Sequence, residues 1–441
     1  MIEKYLVKKI TEPVDWKVTV PGSKSMTNRA LLMAVLSAGT VRVEGVLFSD
    51  DSRHFLACLV ALGFTVEIEE EKKCVTVTGC GGRIPRGEAV IDVGSAGTAA
   101  RFLAAMLGFS DGCYEIRCSA QMKRRPMAEL FDLLSGAGAK ITFLEEEGHL
   151  PVRITGCRYA RADKTAGETP RELSLDITKS TQFLSALLLI APMVPEGMKI
   201  HITSEKTDGS YIRITRKMMQ EFGVDVVFDG RDYEVPHRSS YRKEAYTVEP
   251  DMSAACYFYA AAAVTGGRAL VRHVHMDNTQ GDLRFLEVLE HMGCTADDTP
   301  EGILVTGPAD GALRGITVNM NDFSDQALTL AAIAPFADAP VRIEGIGHIR
   351  GQECDRIHAI QTNLTALGIR CEEEETAATI YPGSPHGGSV ETYDDHRVAM
   401  AFSLVGLRTD GIVIENPACC RKTFENYFTV LSELTGKKME A

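Results

Sequence analysis

Seven cations, Lys24, Arg29, Arg101, Arg125, Arg356, Arg397 and Lys422, stand at or just after places where the sequence predicts a helix to open. The acids Asp50, Asp51, Asp325, Glu353 and Asp395 lie in or beside the same turns. The chemistry such a set suits is the holding of anions. A guanidinium donates two parallel bonds to a carboxylate or phosphate, and a helix start adds free N–H groups and the positive end of its dipole. Any one of these arginines alone reads equally well as a capping or structural residue. The group reads differently, because an apolar buried helix rarely carries an arginine near its start unless something anionic faces it. For the acids two roles stay open. Asp325 is either a helix N-cap or a carboxylate kept ionised by neighbouring arginines and used as a base.

Other chemistries find less support. Gly22-Ser23-Lys24-Ser25 is not a nucleotide-binding P-loop, since Val18 occupies the place of the first glycine. Gly94 and Gly97 lack the third glycine of a dinucleotide fingerprint. His273-Val274-His275 would put two imidazoles on one strand face, but no further ligand pattern accompanies them, so a structural or surface role is expected. The motifs CxxC and HExxH are absent.

The elements that must position the cations recur six times, at intervals of about 70 to 85 residues. A polar or Gly-containing turn opens a helix that is apolar nearly all round. The openings are Gly22 to Ser25, Gly94 to Thr98, Lys179 to Gln182, Asp251 to Ser253, Asp322 to Asp325 and Asp394 to Arg397. Strands follow at Val41–Val43, Tyr114–Ile116, Lys199–Ile202, Ala269–Val271, Val341–Ile343 and Ile412–Ile414. Amphipathic helices then end near Gly63, Gly138, Gly223, Gly293, Gly368 and Gly436. A helix apolar on every face must be buried on every face, so the packing expected is sheets outside and helices within, three repeats to a domain. If the buried helices run the same way, their openings converge at one end of each domain, and two such ends facing each other would make an anion-attracting cleft. Lys17 to Val20 precedes the first opening and is expected to belong to the other domain. The domains read as 1–20 plus 249–441, and 21–248 inserted between them.

Bulk composition limits the partners. At 441 residues two domains are expected. A net charge of -13 and the lack of a basic run with interleaved aromatics argue against nucleic acid. No apolar run is long enough to span a bilayer, and Met1 to Ile10 reads as no export signal. Twelve scattered cysteines read as reduced thiols in a cytoplasm.

The ordered motifs resemble those of the 5-enolpyruvylshikimate-3-phosphate synthase family, which are enolpyruvyl transferases. They are Pro21-Gly22-Ser23-Lys24-Ser25 with Asn28-Arg29, Gly97-Thr98 with Arg101, Arg125-Pro126-Met127, Ser180-Thr181-Gln182, Asp325, Glu353-Cys354-Asp355-Arg356, Asp395-His396-Arg397 and Lys422-Thr423-Phe424. The resemblance covers essentially the whole chain. It implies an α/β, two-domain, inverted α/β barrel-like fold of six βαβαββ-type repeats, three per domain, with the active site between the domains. It implies transfer of the enolpyruvyl group of phosphoenolpyruvate to the 5-hydroxyl of shikimate 3-phosphate, with release of phosphate, no cofactor and no metal. A cytoplasmic monomer acting on these two small molecules, with no nucleic-acid or membrane partner, is the expectation.

By the same resemblance, shikimate 3-phosphate is held by Lys24, Ser25, Arg29, Ser180, Thr181, Gln182, Tyr211, Asp325, His348 and Gln352. Phosphoenolpyruvate is held by Lys24, Gly97, Thr98, Arg101, Arg125, Gln182, Glu353, Arg356, His396, Arg397 and Lys422. Asp325 takes the proton of the attacking hydroxyl. Glu353 protonates the methylene carbon and later deprotonates it, and Lys24 assists. Sensitivity to the herbicide glyphosate is also implied, with Gly97 leaving room beside phosphoenolpyruvate.

Some positions depart from the family pattern. Gln352 stands where many relatives have lysine, His348 where asparagine is frequent, and Phe102 where proline is frequent. Near Tyr211, Asp208 and Ser210 do not match the family serine cleanly. One rival reading is the sister enzyme acting on UDP-N-acetylglucosamine, which has Asn where Ser25 stands and a loop cysteine where this chain has Ala120; Cys118 is out of register. The other is a binding paralogue without turnover, favoured by Gln352 alone.

Overall fold

A computed structural model of the chain describes residues 3–157, 169–178, 180–309 and 312–436. The chain forms two compact units. One joins Met1–Pro21 to Pro250–Ala441, and the other is Gly22–Glu249.

Among the described residues each unit contains three small sheets and three buried helices. In the Gly22–Glu249 unit the helices are Lys24–Leu36, Gly97–Gly108 and Thr181–Ile190. Every residue of Gly97–Gly108 is buried, as an all-apolar helix requires. In the other unit they are Met252–Thr265, Ala327–Ile333 and His396–Arg408. The middle one is short: it begins as a tight turn at Ser324–Gln326 and passes at Pro335 into another, Ala334–Phe336. Proline lacks the N–H that would carry the helix on. The opening expected at Lys179 falls partly outside the described residues; Ser180, Thr181 and Gln182 lie within them.

The strand after each buried helix is the hub of its sheet. Thr40–Glu44 pairs antiparallel with Cys74–Thr78, and on its other edge parallel with Ala245–Thr247, with Arg42 opposite Ala245. A strand from the far end of the segment thus closes the unit on its first sheet. Val41 and Val43 point inward while Thr40 and Glu44 face solvent, the alternation a one-sided sheet demands. In the other unit the strand expected at Lys17 to Val20 is Asp15–Val18, two residues earlier at each end, and it pairs parallel with Arg268–Val271.

Glycines end the second helices. Gly63, Gly138, Gly223, Gly293, Gly368 and Gly436 all take positive φ, for example 91° at Gly63 and 62° at Gly436. The left-handed turn lets the last carbonyls be satisfied, and glycine adopts it without strain. One expectation fails locally. His273 and His275 do not share a strand face, because the strand ends at Arg272 and His273 turns into left-handed backbone. His275 Nδ1 instead lies 2.8 Å from Asp298 Oδ1.

Candidate active site

Hydrogen bonds within each unit join the openings of its three buried helices, so the helices present their starts at a common end. In the Gly22–Glu249 unit, Asn28 Nδ2 donates to Thr98 Oγ1 at 2.9 Å, linking the first helix to the second. Arg29 Nη2 reaches Ser185 Oγ at 3.4 Å, linking the first to the third. The first opening is held by a close backbone approach. A Cβ on Gly22 would lie 1.9 Å from the Gly45 carbonyl oxygen, so only glycine fits. In the other unit Arg397 Nη2 lies 2.8 Å from Asp325 Oδ2 and 3.4 Å from Ser253 Oγ, joining all three openings.

The Gly22–Glu249 unit surrounds its deepest cation with neutral groups. Arg29 is 1% exposed. Its Nε donates to Thr215 Oγ1 at 2.8 Å, and its Nη atoms donate to the Ser25 carbonyl at 2.9 Å and the Tyr211 carbonyl at 3.3 Å. The guanidinium carbon lies 5.3 Å from the centre of the Phe102 ring and 5.8 Å from that of Tyr211. Phe102, the departure from the family proline, therefore packs beside this cation. Burial pulls the Arg29 guanidinium down to about 10, and nearby Tyr211 and Tyr246 only partly oppose that. A buried cation among neutral partners is ready for an anion.

A second pair of cations meets at Gly97. A Cβ there would sit 2.4 Å from Arg125 Nη1 and 2.7 Å from Arg101 Nη1, so both guanidiniums close on the α-carbon. Arg101 Nη1 donates to the Gly97 carbonyl at 2.9 Å, and its guanidinium lies 5.7 Å from the Phe183 ring centre. Thr98 is buried beside them. At the third opening Ser180 Oγ accepts from the Gln182 N–H at 3.2 Å, capping the helix. Gln182 Oε1 is buried without a hydrogen-bond partner among the described residues. Thr181 and Tyr211 are half-buried at the same end. Lys24 Nζ lies 3.4 Å from Asp51 Oδ2, and Asp51 sits in the first turn of the helix Asp50–Ala61.

The other unit pairs its cations with acids. Arg356, 1% exposed, serves three carboxylates at once. Nε donates to Asp395 Oδ2 at 2.8 Å, Nη1 to Asp325 Oδ1 at 2.9 Å and Nη2 to Glu353 Oε2 at 2.9 Å. Burial lowers this guanidinium, but the charges of Asp395, Glu353 and Asp325 more than reverse that and hold it above its ordinary value. Lys422 Nζ takes the second oxygen of Glu353 at 2.9 Å. Each of Asp325 and Glu353 thus sits between two cations. Asp325 is not at an N-cap: it lies inside the turn Ser324–Gln326, whose N-cap is Phe323. Capping at the next opening falls to Asp395, whose Oδ1 accepts from the Arg397 N–H at 2.8 Å. His396 is fully buried beside it. His348 Nε2 lies 2.8 Å from Ser324 Oγ, and Gln352 follows the short turn Gly347–Gly351.

Several participants carry no obvious sequence signal. Thr215 and Ser185 line Arg29, and Asp282, Ser253 and Gln326 join Arg397 and Asp325 through hydrogen bonds. Cys118, nearest to the reactive cysteine of the sister enzyme, follows the strand Cys113–Arg117. Burial pushes its thiol up to about 11, with Lys123 opposing. A thiol so raised is a poor nucleophile at neutral pH.

The family model described as EPSP synthase (3-phosphoshikimate 1-carboxyvinyltransferase) matches residues 8–431. A 3-phosphoshikimate 1-carboxyvinyltransferase from Trichormus variabilis is 41% identical over 429 residues, covering 97% of this chain and 98% of the relative. One from Sulfurovum sp. is 39% identical, covering 96% and 97%. Among solved structures, an EPSP synthase from Acinetobacter baumannii superposes with a TM-score of 0.79 at 25% identity, covering 99% of each chain. The enolpyruvyl transferase NikO from Streptomyces tendae shares the fold, with a TM-score of 0.73 at 17% identity over 98% of this chain and 97% of that one.

Proposed function

The chain belongs to the EPSP synthase family and transfers the enolpyruvyl group of phosphoenolpyruvate to shikimate 3-phosphate, and we propose that the cluster of the Gly22–Glu249 unit serves binding while the other serves both binding and proton transfer. The arrangement that carries the reading is the shared guanidinium of Arg356, which holds Asp325 and Glu353 on separate nitrogens. Two carboxylates fixed on one rigid fork can act on two different atoms of one reacting pair.

Arg29, Lys24, Ser25, Ser180, Thr181, Gln182 and Tyr211 bind shikimate 3-phosphate, with the phosphate on the cationic members. The neutral shell of Arg29 supports this, since the phosphate then supplies the charge its surroundings lack. His348 and Gln352 contribute polar contacts to the same substrate. Arg101 and Arg125, closing on Gly97 and Thr98, and Arg356, His396, Arg397 and Lys422 hold the phosphate and carboxylate of phosphoenolpyruvate. Glu353 protonates the methylene carbon. The 5-hydroxyl attacks the neighbouring carbon as Asp325 accepts its proton, giving a tetrahedral intermediate. Glu353 then takes a proton back from the former methylene carbon, the double bond re-forms, the C–O bond to phosphate breaks, and the phosphate carries away the proton that Asp325 had accepted. Lys24 assists. The preorganised cations stabilise the intermediate, which carries the charge of both substrates. No cofactor takes part.

A monomer in the cytoplasm completes the proposal. The twelve free thiols suit a reducing compartment. Among the described residues no helix is long and apolar enough to cross a membrane.

Phosphate release should require shikimate 3-phosphate and should not occur with UDP-N-acetylglucosamine in its place. Glu353→Gln should suppress incorporation of solvent deuterium into the methylene group of phosphoenolpyruvate. Native exchange in that variant would remove Glu353 from the role.

A further inference from the structure

The reaction above uses Asp325 and Glu353, and Asp395 caps a helix, yet a further carboxylate, Asp282, is buried in the same cluster on the short turn Gly281–Arg284. The hydroxyl of Ser253 donates to its Oδ2, and Gln326 Nε2 donates to the same oxygen at 3.1 Å. Both donors lead to the reacting groups. With its proton committed to Asp282, Ser253 Oγ can only accept from Arg397 Nη2, 3.4 Å away. That nitrogen also donates to Asp325 Oδ2 at 2.8 Å. Gln326 is the residue after Asp325, and its Oε1 is occupied by Thr329 Oγ1 at 2.9 Å, which leaves its amide N–H groups to turn toward Asp282. A neutral acceptor would satisfy both donors. A buried charge is costly, so the charge itself calls for a use.

We propose that Asp282 is a positioning residue of this reaction, fixing Arg397 through the Ser253 hydroxyl and setting a negative charge beside Asp325. The inference rests on the reading of Asp325 as the base. Two guanidiniums alone favour an Asp325 that keeps its charge and declines a proton. A further negative charge nearby works against them and eases uptake of the hydroxyl proton. The charged and titratable groups acting on Asp282 are Asp325 and Arg397, and the Cys256 thiol donates to its carbonyl at 3.7 Å. Burial first, and the Asp325 charge second, push the Asp282 carboxyl up to about 6 against the pull of Arg397, Ser253 and Gln326. It is therefore ionised at neutral pH and takes up a proton on mild acidification.

The test is the pH profile of kcat for Asp282→Asn beside the wild type. Asparagine keeps the size and an accepting oxygen and loses the charge. Above pH 7 kcat should fall on the order of tenfold, a usual scale for perturbing one acid–base partner. The ratio of wild type to variant should collapse toward one as pH drops through about 6, the value set by Asp282. A merely structural loss would leave that ratio constant across pH, and either a constant ratio or an unchanged kcat overturns the proposal. Ser253→Ala covers the case in which Asp282→Asn does not fold. It keeps the charge and breaks the bridge, so the limb near pH 6 should remain while KM for phosphoenolpyruvate rises several-fold; a native KM overturns the positioning role. Near-native kcat in Asp325→Asn would remove the base itself, whereas an inactive Asp325→Asn beside a native Asp282→Asn overturns this inference alone.

Discussion

Arg356 Nη1 meets Asp325 Oδ1 at 2.9 Å, and the same guanidinium holds Glu353 and Asp395 on its other nitrogens. The spacing of the two reacting carboxylates is thereby set by one rigid, fully buried plane. Lysine has one ammonium and no fork. Arg356→Lys should leave at least one carboxylate of the three poorly paired in the interior. Breaking a buried pair costs about 3 to 5 kcal/mol, so thermal unfolding should shift down by many degrees and kcat should drop even below the new Tm. Calorimetry and steady-state kinetics check both. A native Tm would mean that the three acids are held by something other than this fork.

Arg29 makes the opposite case. Its partners are two hydroxyls, two carbonyls and two rings. Arg29→Met removes a charge that burial disfavours and leaves Thr215 Oγ1 bonded to Ser185 Oγ at 3.1 Å. Stability should hold or rise. Binding of shikimate 3-phosphate should weaken by about 10- to 100-fold, the range for losing a charge-assisted bond. Titration calorimetry beside a melting curve separates the two effects, and native affinity would move the phosphate elsewhere.

Gly97→Ala tests the pair of arginines. The added Cβ would fall 2.4 Å from Arg125 Nη1 and 2.7 Å from Arg101 Nη1. Those atoms end flexible side chains, so the helix should form and the guanidiniums should move. KM for phosphoenolpyruvate should rise roughly tenfold, about 1.4 kcal/mol, with shikimate 3-phosphate affinity little changed. Equal weakening of both substrates would show that Gly97 serves the fold rather than one ligand.

Asp282 also sets a stability trend. Its folded value, about 6, lies above the reference of 3.8. The folded state therefore binds this proton more tightly than the unfolded state. Ionisation costs stability above pH 6, and the cost is relieved as pH falls from about 6 toward 4. Asp282→Asn should raise Tm at pH 8, by an amount on the order of 3 kcal/mol of stability, and the gap should narrow through pH 5 and close below about pH 4. A Tm gap of constant size from pH 8 to pH 4 would assign the difference to packing.

The helix openings and the six terminal glycines were legible because their signals are local: a polar turn, an apolar run, and a residue that tolerates positive φ. Arg29 was visible as a cation, but its neutral shell was not, since Ser185 and Thr215 come from two other helices far along the chain. Asp282 reads as an ordinary surface acid in Gly281-Asp282-Leu283-Arg284. Its burial follows from packing against Ser253 and Gln326, which no local pattern announces. The two readings of Asp325 were separable only by coordinates, because a three-residue turn moves it off the N-cap and onto two guanidiniums. The histidines at 273 and 275 were misplaced because a left-handed residue ends the strand alternation.

The assignment of Asp325 as the base meets its most direct test in Asp325→Asn. Asparagine keeps the size and an oxygen for one guanidinium and removes the charge. The kcat should fall by about 100- to 10,000-fold, the usual worth of a general base, while the dissociation constant for shikimate 3-phosphate changes little, because the residues proposed to hold its phosphate are untouched. A kcat near that of the wild type, with the variant folded and saturated, would contradict the account.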